Sequence, residues 1–131
     1  MALRTELVTN LPSVIADRVQ IQQVVMNLML NAVEAMNAVA DRPRRLVIRS
    51  EKRASNEVLI AVQDSGVGID PKDQRRIFEA FFTTKPQGMG MGLSISHSII
   101  EAHGGRLWAS SNGDHGATFQ FTLPAGPETV S

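Results

Sequence analysis

Several features that often reveal a function are missing from this sequence of 131 residues. There is no cysteine, which excludes disulfides, thiolate zinc sites and cysteine nucleophiles. Thirteen basic and thirteen acidic side chains cancel, so net charge gives no reason to expect nucleic acid or an anionic membrane as a partner. No run of about 18 apolar residues occurs, and the N-terminus lacks the apolar core of a signal peptide. We therefore expect no nucleic-acid partner and no membrane contact.

What the sequence does contain is enough apolar material for one ordinary core, at 43% hydrophobic residues. A chain of this length is typical of a single domain. We expect one domain over residues 1–131, with an ordered core of about residues 5–124 and a frayed polar tail.

Hydrophobic periodicity predicts two long amphipathic helices, at residues 17–40 and 93–103, and a short one at 71–78. Alternating or β-branched runs predict strands at residues 6–9, 46–50, 57–62, 106–111 and 117–123. Strands joined by short turns favour antiparallel pairing, and two one-faced helices favour one helical layer. The predicted fold is a two-layer α/β (α+β) sandwich, with a mixed, mostly antiparallel sheet of about five strands. Helices should cover one face, and the other face should be wetter.

The first unusual feature is a pair of asparagines, Asn27 and Asn31, four residues apart inside the first apolar helix. They share one helix face, and asparagine is a poor residue for a helix interior. Both amides can bond local backbone, or one amide oxygen can ligate Mg²⁺, which prefers oxygen donors. Glu34 can join the same polar patch or be a solvated helix residue.

Two glycine-containing segments are the other candidates. Residues 64–69, DSGVGI, place an acidic residue at a strand end before two glycines, which lets a ligand approach the backbone; an ordinary turn reads the same way. Residues 88–93, GMGMGL, open a helix, whose free N–H groups suit a phosphate. This second segment matches neither a dinucleotide fingerprint nor a P-loop, and a flexible hinge is its plain alternative.

In their order and spacing these segments resemble the histidine-kinase branch of the GHKL ATPase superfamily, so the fold is expected to be GHKL-type. Residues 27–35 (NLMLNAVEA) are similar to that family's N box, and residues 64–69 to its first glycine box. Residues 77–85 (IFEAFFTTK) resemble its F box, and residues 88–93 its second glycine box. The likeness covers about residues 5–124 and is nearest to the nitrogen-regulation and oxygen-sensing kinases.

The resemblance implies ATP and Mg²⁺ as ligands and assigns roles to single residues. Asn31 would ligate Mg²⁺, and Asn27 would line the phosphate side. Asp64 would accept a hydrogen bond from the adenine 6-amino group, Gly66 and Gly68 would let base and sugar approach, and Thr118 is a secondary adenine candidate. Glu34 departs from the family pattern, so no role is carried over to it.

The same resemblance assigns the phosphates to a lid. Phosphates would contact the backbone of the second glycine box, namely Gly88, Gly90, Met91, Gly92 and Leu93. Lys85 would reach the terminal phosphate, or be a solvated loop lysine.

The resemblance also implies that this sequence lacks a water-activating glutamate and a phosphoacceptor histidine. ATP-hydrolysing branches carry a water-activating glutamate where Asn27 stands, and an amide is not a general base, so we expect negligible hydrolysis. The histidines, His97, His103 and His115, lie in no phosphoacceptor-like motif and are expected to be structural. We expect a cytoplasmic monomer that phosphorylates a histidine on a separate dimerisation domain, with a response regulator downstream. The alternatives are a GHKL protein serine kinase, a non-catalytic nucleotide sensor and a plain interaction domain.

Overall fold

A computed structural model describes residues 2–6, 16–37, 43–53, 56–69, 76–78, 92–112 and 115–124. Within these ranges the chain forms two helices and five strands. In chain order they are β1 (Ala2–Glu6), α1 (Arg18–Asn37), β2 (Arg45–Arg53), β3 (Glu57–Asp64), α2 (Gly92–Ala102), β4 (Arg106–Ser111) and β5 (Ala117–Pro124).

The strands form one sheet in the order β1-β2-β3-β5-β4. β1 pairs with β2 in parallel, and the other three pairs are antiparallel. The mixed, mostly antiparallel five-stranded sheet with helices on one face confirms the predicted fold class.

Helix α1 begins where Asp17 caps it, because the Asp17 carboxylate accepts the Gln20 N–H at 3.1 Å. Its core stripe recurs every four residues and is almost fully buried: Val24, Leu28, Ala32 and Met36. These side chains join those of the sheet, including Phe119 and Phe121, in one core cluster. Burial of one continuous stripe holds the helix on the sheet.

Two glycines, Gly104 and Gly105, follow the end of helix α2 and terminate it. Gly104 has φ +80°, a conformation that side-chain-bearing residues rarely adopt, and the Gly105 N–H reaches back to the Ile100 carbonyl at 3.0 Å. A Cβ at Gly105 would overlap the Thr122 carbonyl oxygen, so this turn lies directly on β5. The paired glycines therefore both end the helix and start β4 beside β5.

The sheet face opposite the helices is drier than the sequence predicts. Leu59, Ala61 and Thr122 belong to that face, yet each is at most 5% exposed. Trp108 projects from β4 with its ring centroid 5.3 Å from the Arg106 guanidinium carbon and 5.9 Å from that of Arg53, which belongs to β2. Because β3 and β5 lie between these two strands, the long side chains extend over the small ones and shield them from water.

Element positions differ modestly from the predictions. The first strand was expected at residues 6–9 but occupies Ala2–Glu6, three residues before the expected start of the core. Of the predicted short helix at 71–78, only residues 76–78 are described, and they form a turn. In the described part of the chain, neither helix has the length and hydropathy needed to cross a bilayer.

Candidate functional site

Asp64 ends β3 and is only 3% exposed. Its Oδ1 accepts the Gly66 N–H at 2.8 Å and the Ala117 N–H at 3.3 Å. Burial raises the pKa of this carboxyl above its usual value, and the two backbone hydrogen bonds partly oppose that rise. Among the described residues, every hydrogen bond to the carboxyl goes to Oδ1, so Oδ2 is left to accept from a ligand.

The loop after Asp64 is held at both ends by serine hydroxyls. Ser65 Oγ accepts the Arg45 N–H at 2.8 Å and donates to the Pro43 carbonyl at 3.0 Å. Ser111 Oγ accepts the Ile69 N–H at 3.2 Å and donates to the Ile69 carbonyl at 2.8 Å. The loop at residues 64–69 is therefore hydrogen-bonded to the rest of the domain at both ends.

The two glycines of this loop have different roles. A Cβ at Gly66 would lie 2.6 Å from the Ala35 carbonyl carbon, so this glycine lets the loop pack on the backbone of α1. Gly68 has φ +80° and faces the Gly116 carbonyl oxygen, which would lie 3.2 Å from an added Cβ. The sequence suggested that both glycines admit a ligand, whereas at Gly66 the close neighbour is the protein's own helix.

Asn27 and Asn31 lie on the same side of helix α1. Asn27 donates through Nδ2 to the Ser96 hydroxyl at 3.2 Å and to the Gly92 carbonyl at 3.4 Å, which ties α1 to the start of α2. Asn31 is half-buried one turn further along, and the turn after it contains Ala35, against which Gly66 packs. Asn31 thus lies on the turn of α1 that leads to the Asp64 loop. Glu34 is exposed.

Thr118 is not brought to the Asp64 side of the sheet. The pairing of Gln63 with Thr118 places those two side chains on the face opposite Asp64, because neighbouring residues of a strand alternate. Its hydroxyl donates to Asn112 Oδ1 at 2.7 Å. Ala117 takes the position beside Asp64 and contributes its backbone N–H.

The lid positions are only partly described. Lys85, Gly88, Gly90 and Met91 lie outside the described residues. Gly92 is the first residue of α2 and is exposed, while Leu93 is half-buried against the core cluster.

Two of the three histidines, His97 and His103, make contacts within the domain. The His97 ring stacks on Phe78 with centroids 5.3 Å apart, and its Nε2 lies 3.2 Å from a Glu101 carboxylate oxygen. His103 accepts the Asp17 N–H at Nε2 and bonds the Ile99 carbonyl through Nδ1. His115 is exposed in the turn between β4 and β5.

Sequence reasoning missed three residues that shape this site: Ser65, Ser111 and Asn112. Asn112 donates to the carbonyl oxygens of Asp64 and His115, both at 3.1 Å. In the sequence it reads as the first residue of an ordinary Asn-Gly turn. The only signal was its place, directly after a strand that returns to the end of β3.

Comparison with known families gives a match over most of the chain. The family described as "Histidine kinase-, DNA gyrase B-, and HSP90-like ATPase" matches residues 16–127. The sensor protein FixL of Bradyrhizobium diazoefficiens is 54% identical over 115 residues, which are 88% of this chain and 22% of FixL. The chain therefore spans about a fifth of the length of that relative.

Solved structures agree with the sequence comparison. The nucleotide-free catalytic domain of histidine kinase ThkA superposes with a TM-score of 0.82 at 39% identity, covering 97% of this chain and 80% of that one. Full-length ShkA in complex with AMPPNP gives a TM-score of 0.81 at 28% identity, covering 94% of this chain and 25% of that one. These likenesses extend over both helices and the sheet that carries Asp64. The chain belongs to the family of histidine kinase-, DNA gyrase B- and HSP90-like ATPases, and its relatives are sensor histidine kinases.

Proposed function

We propose that this chain, as a single domain over residues 1–131, is the ATP-binding catalytic domain of a sensor histidine kinase. It binds ATP with Mg²⁺ and donates the γ-phosphate to a histidine on a separate dimerisation domain. The observation that carries the proposal is the Asp64 carboxyl, buried at a strand end with one oxygen held by backbone N–H groups. The matched family and the AMPPNP complex of ShkA support it.

Asp64 selects the base by offering an acceptor in a buried place. The adenine 6-amino group donates to Oδ2, whereas the 6-oxo group of guanine presents a second acceptor to it. A buried acceptor without a donor costs about 1–3 kcal/mol, which is enough to select ATP over GTP. Because Oδ1 is already held, the carboxyl is oriented before the base arrives.

The phosphate side is assigned to α1 and the start of α2. Asn31 supplies an amide oxygen, a ligand that Mg²⁺ accepts. In the described part of the chain no group of three or more acidic, histidine or cysteine side chains could hold a metal. Asn31 is the one protein ligand that we propose for the ion. When bound, the ion neutralises charge on the phosphates during transfer.

The remaining assignments follow the family pattern. By that pattern Asn27 and the backbone of Gly88, Gly90, Met91, Gly92 and Leu93 would line the phosphates, and Lys85 would reach the terminal phosphate. Gly68 leaves room beside the base. Thr118 lies on the opposite face of the sheet, so we propose no direct contact between it and the base.

The protein's own part in transfer is positioning. The Asn27 amide donates to Ser96 and Gly92, and an amide cannot take a proton from water, so we expect it not to activate water for ATP hydrolysis. His97 and His103 are occupied by contacts within the domain. We propose that the acceptor is a histidine on the separate dimerisation domain and that a response regulator receives the phosphoryl group later. We also propose that this domain acts as a cytoplasmic monomer.

Calorimetric titration of the chain with ATP and GTP, each with and without Mg²⁺, tests the proposal. Magnesium-supported binding that prefers ATP, without steady release of inorganic phosphate, is the expected result. Rapid hydrolysis would move the chain to the ATPase branch of its family, and absence of ATP binding would refute the proposal.

The metal assignment has its own test. Asn31→Ala should remove the gain in ATP affinity that Mg²⁺ provides, while metal-free affinity changes little. Asn37→Ala is the matched control, since Asn37 is an exposed asparagine at the end of the same helix. If Asn31→Ala keeps the magnesium dependence of the control, Asn31 is not the ligand.

A further inference from the structure

Asn112 follows β4, and its side-chain amide connects three parts of the base site. Nδ2 donates to the Asp64 carbonyl and to the His115 carbonyl, each at 3.1 Å. Oδ1 accepts from the Thr118 hydroxyl at 2.7 Å. The backbone N–H of Asn112 also reaches the Gly116 carbonyl at 2.9 Å. One residue thus fastens the end of β3, the β4–β5 turn and β5 together.

The direction of every bond in this network is determined. Carbonyl oxygens only accept, so the atom facing Asp64 and His115 must be the amide nitrogen. Oδ1 then accepts, so the Thr118 hydroxyl must donate to it. A flipped amide would set oxygen against two carbonyl oxygens, and the amide therefore has one orientation.

The carbonyl that Asn112 bonds belongs to the residue whose carboxyl faces the base. Gly116 packs against the same carbonyl so closely that a Cβ there would overlap the Asp64 carbonyl oxygen. Gly116 also has φ +85°, which favours glycine. The next residue, Ala117, supplies one of the two N–H groups that hold Asp64 Oδ1. The same turn therefore places both the main chain and the side chain of Asp64.

We propose that Asn112 is a positioning residue for base recognition: from the face opposite the carboxyl, its amide fixes the main chain of Asp64 and so aims Oδ2 at the 6-amino group of adenine. This inference rests on the proposed binding of ATP. Asn112 touches no part of the nucleotide and acts through Asp64. Its contribution is pre-organisation, since a carboxyl held in place before binding loses less freedom when the base arrives.

The test compares ATP with purine riboside 5′-triphosphate, which lacks only the 6-amino group. Calorimetry on the chain gives the ratio of the two affinities, which isolates the contact between Asp64 and the amino group. Asn112→Ala should lower this ratio by about tenfold, the size of one good hydrogen bond to a charged group, while affinity for the analogue stays near that of the unaltered chain.

Two further variants separate positioning from loss of stability. Asn112→Asp keeps the acceptor for Thr118 but loses the donor to Asp64, so it should lower the ratio as Asn112→Ala does. Thr122→Val is the matched control at the other end of β5: it removes the hydroxyl that accepts the Arg106 N–H at 3.2 Å, and should leave the ratio unchanged.

The outcomes distinguish this inference from the proposed function. If the unaltered chain binds ATP no better than the analogue, recognition by Asp64 itself is wrong. If the unaltered chain prefers ATP and both Asn112 variants keep that preference, Asn112 only fastens the turn and the inference is overturned. A similar fall in the ratio with Thr122→Val would also overturn it, because a general loosening of the sheet would then be the cause.

Discussion

At the scale of single residues, Asp64 combines burial with incomplete hydrogen bonding. Its pKa is raised because desolvation disfavours the charged form more than the Gly66 and Ala117 N–H groups favour it. Between the usual value of 3.8 and the raised value, the folded chain holds this proton and the unfolded chain releases it. Stability due to this group therefore falls as pH rises through that window.

We predict that Asp64→Asn stabilises the nucleotide-free chain at neutral pH. The amide keeps an oxygen for both backbone donors and removes the buried charge. The gain over the unaltered chain should shrink as pH falls toward 3.8, because the folded chain then holds the Asp64 proton, and below 3.8 the unfolded chain increasingly holds it as well. Urea unfolding between pH 4 and pH 8 measures it.

Asp17→Asn is the control for this measurement, because Asp17 is an exposed helix cap and asparagine caps about as well. Its free energy of unfolding at neutral pH should stay close to that of the unaltered chain. A gain at Asp64→Asn that does not change with pH would mean that charge burial is not its cause.

The sequence identified Asp64 and both asparagines as candidates, because acidic and amide groups beside glycines or in an apolar helix are unusual. It did not show what surrounds them. The contacts of Asn112 and Ser111 join residues more than 40 positions apart, and only the pairing of β3 with β5 brings them together. Thr118 was named from the family resemblance, which does not show on which face of β5 its side chain lies.

At the scale of elements, His103 connects the end of α2 to the start of α1. The Ile99 carbonyl only accepts, so His103 Nδ1 carries the hydrogen at 2.7 Å. The Asp17 N–H only donates, so Nε2 offers its lone pair at 3.1 Å. Through these two hydrogen bonds the ring joins the end of α2 to the start of α1.

We predict that His103→Leu weakens this junction by about 1 kcal/mol, because the Asp17 N–H loses its partner, while the Ile99 carbonyl keeps the backbone N–H of residue 103. Amide hydrogen exchange should show the largest loss of protection in the first turn of α1. His115→Leu makes the same replacement at an exposed histidine and should have little effect on exchange in that turn. Equal protection in both variants would show that the His103 hydrogen bonds do not stabilise the first turn of α1.

Element boundaries were predicted well where the signal was local. The strand predicted at residues 106–111 coincides with β4, and α2 differs from its prediction by one residue at each end. β1 was displaced because its alternation is weak and its place depends on parallel pairing with β2, across the whole of α1. Such a pairing leaves little trace in a five-residue segment.

At the scale of the whole molecule, the described helices and strands pack around one hydrophobic core. The stripe of α1, the face of α2 and four strands contribute to a single cluster. Leu28 lies in its centre with no exposed surface, while Leu30, two residues further along, is 55% exposed. The same residue type thus occurs on the inner and the outer side of one helix.

We predict that Leu28→Ala lowers the free energy of unfolding by about 2–5 kcal/mol through lost contacts and a residual cavity. Leu30→Ala should change it by only about 0.5 kcal/mol, as exposed substitutions usually do. Urea denaturation followed by circular dichroism measures both. Similar losses in the two variants would mean that the side of α1 assigned to the core is wrong.

The position of Trp108 has an optical consequence. It is the only tryptophan, and the chain has no tyrosine, so nearly all intrinsic fluorescence comes from one indole. That indole lies between Arg53 and Arg106 on the sheet face opposite Asp64. Its emission should therefore report on the integrity of the sheet. A nucleotide bound beside Asp64, as proposed, would lie on the other face, so we expect a ligand titration to need an added fluorophore.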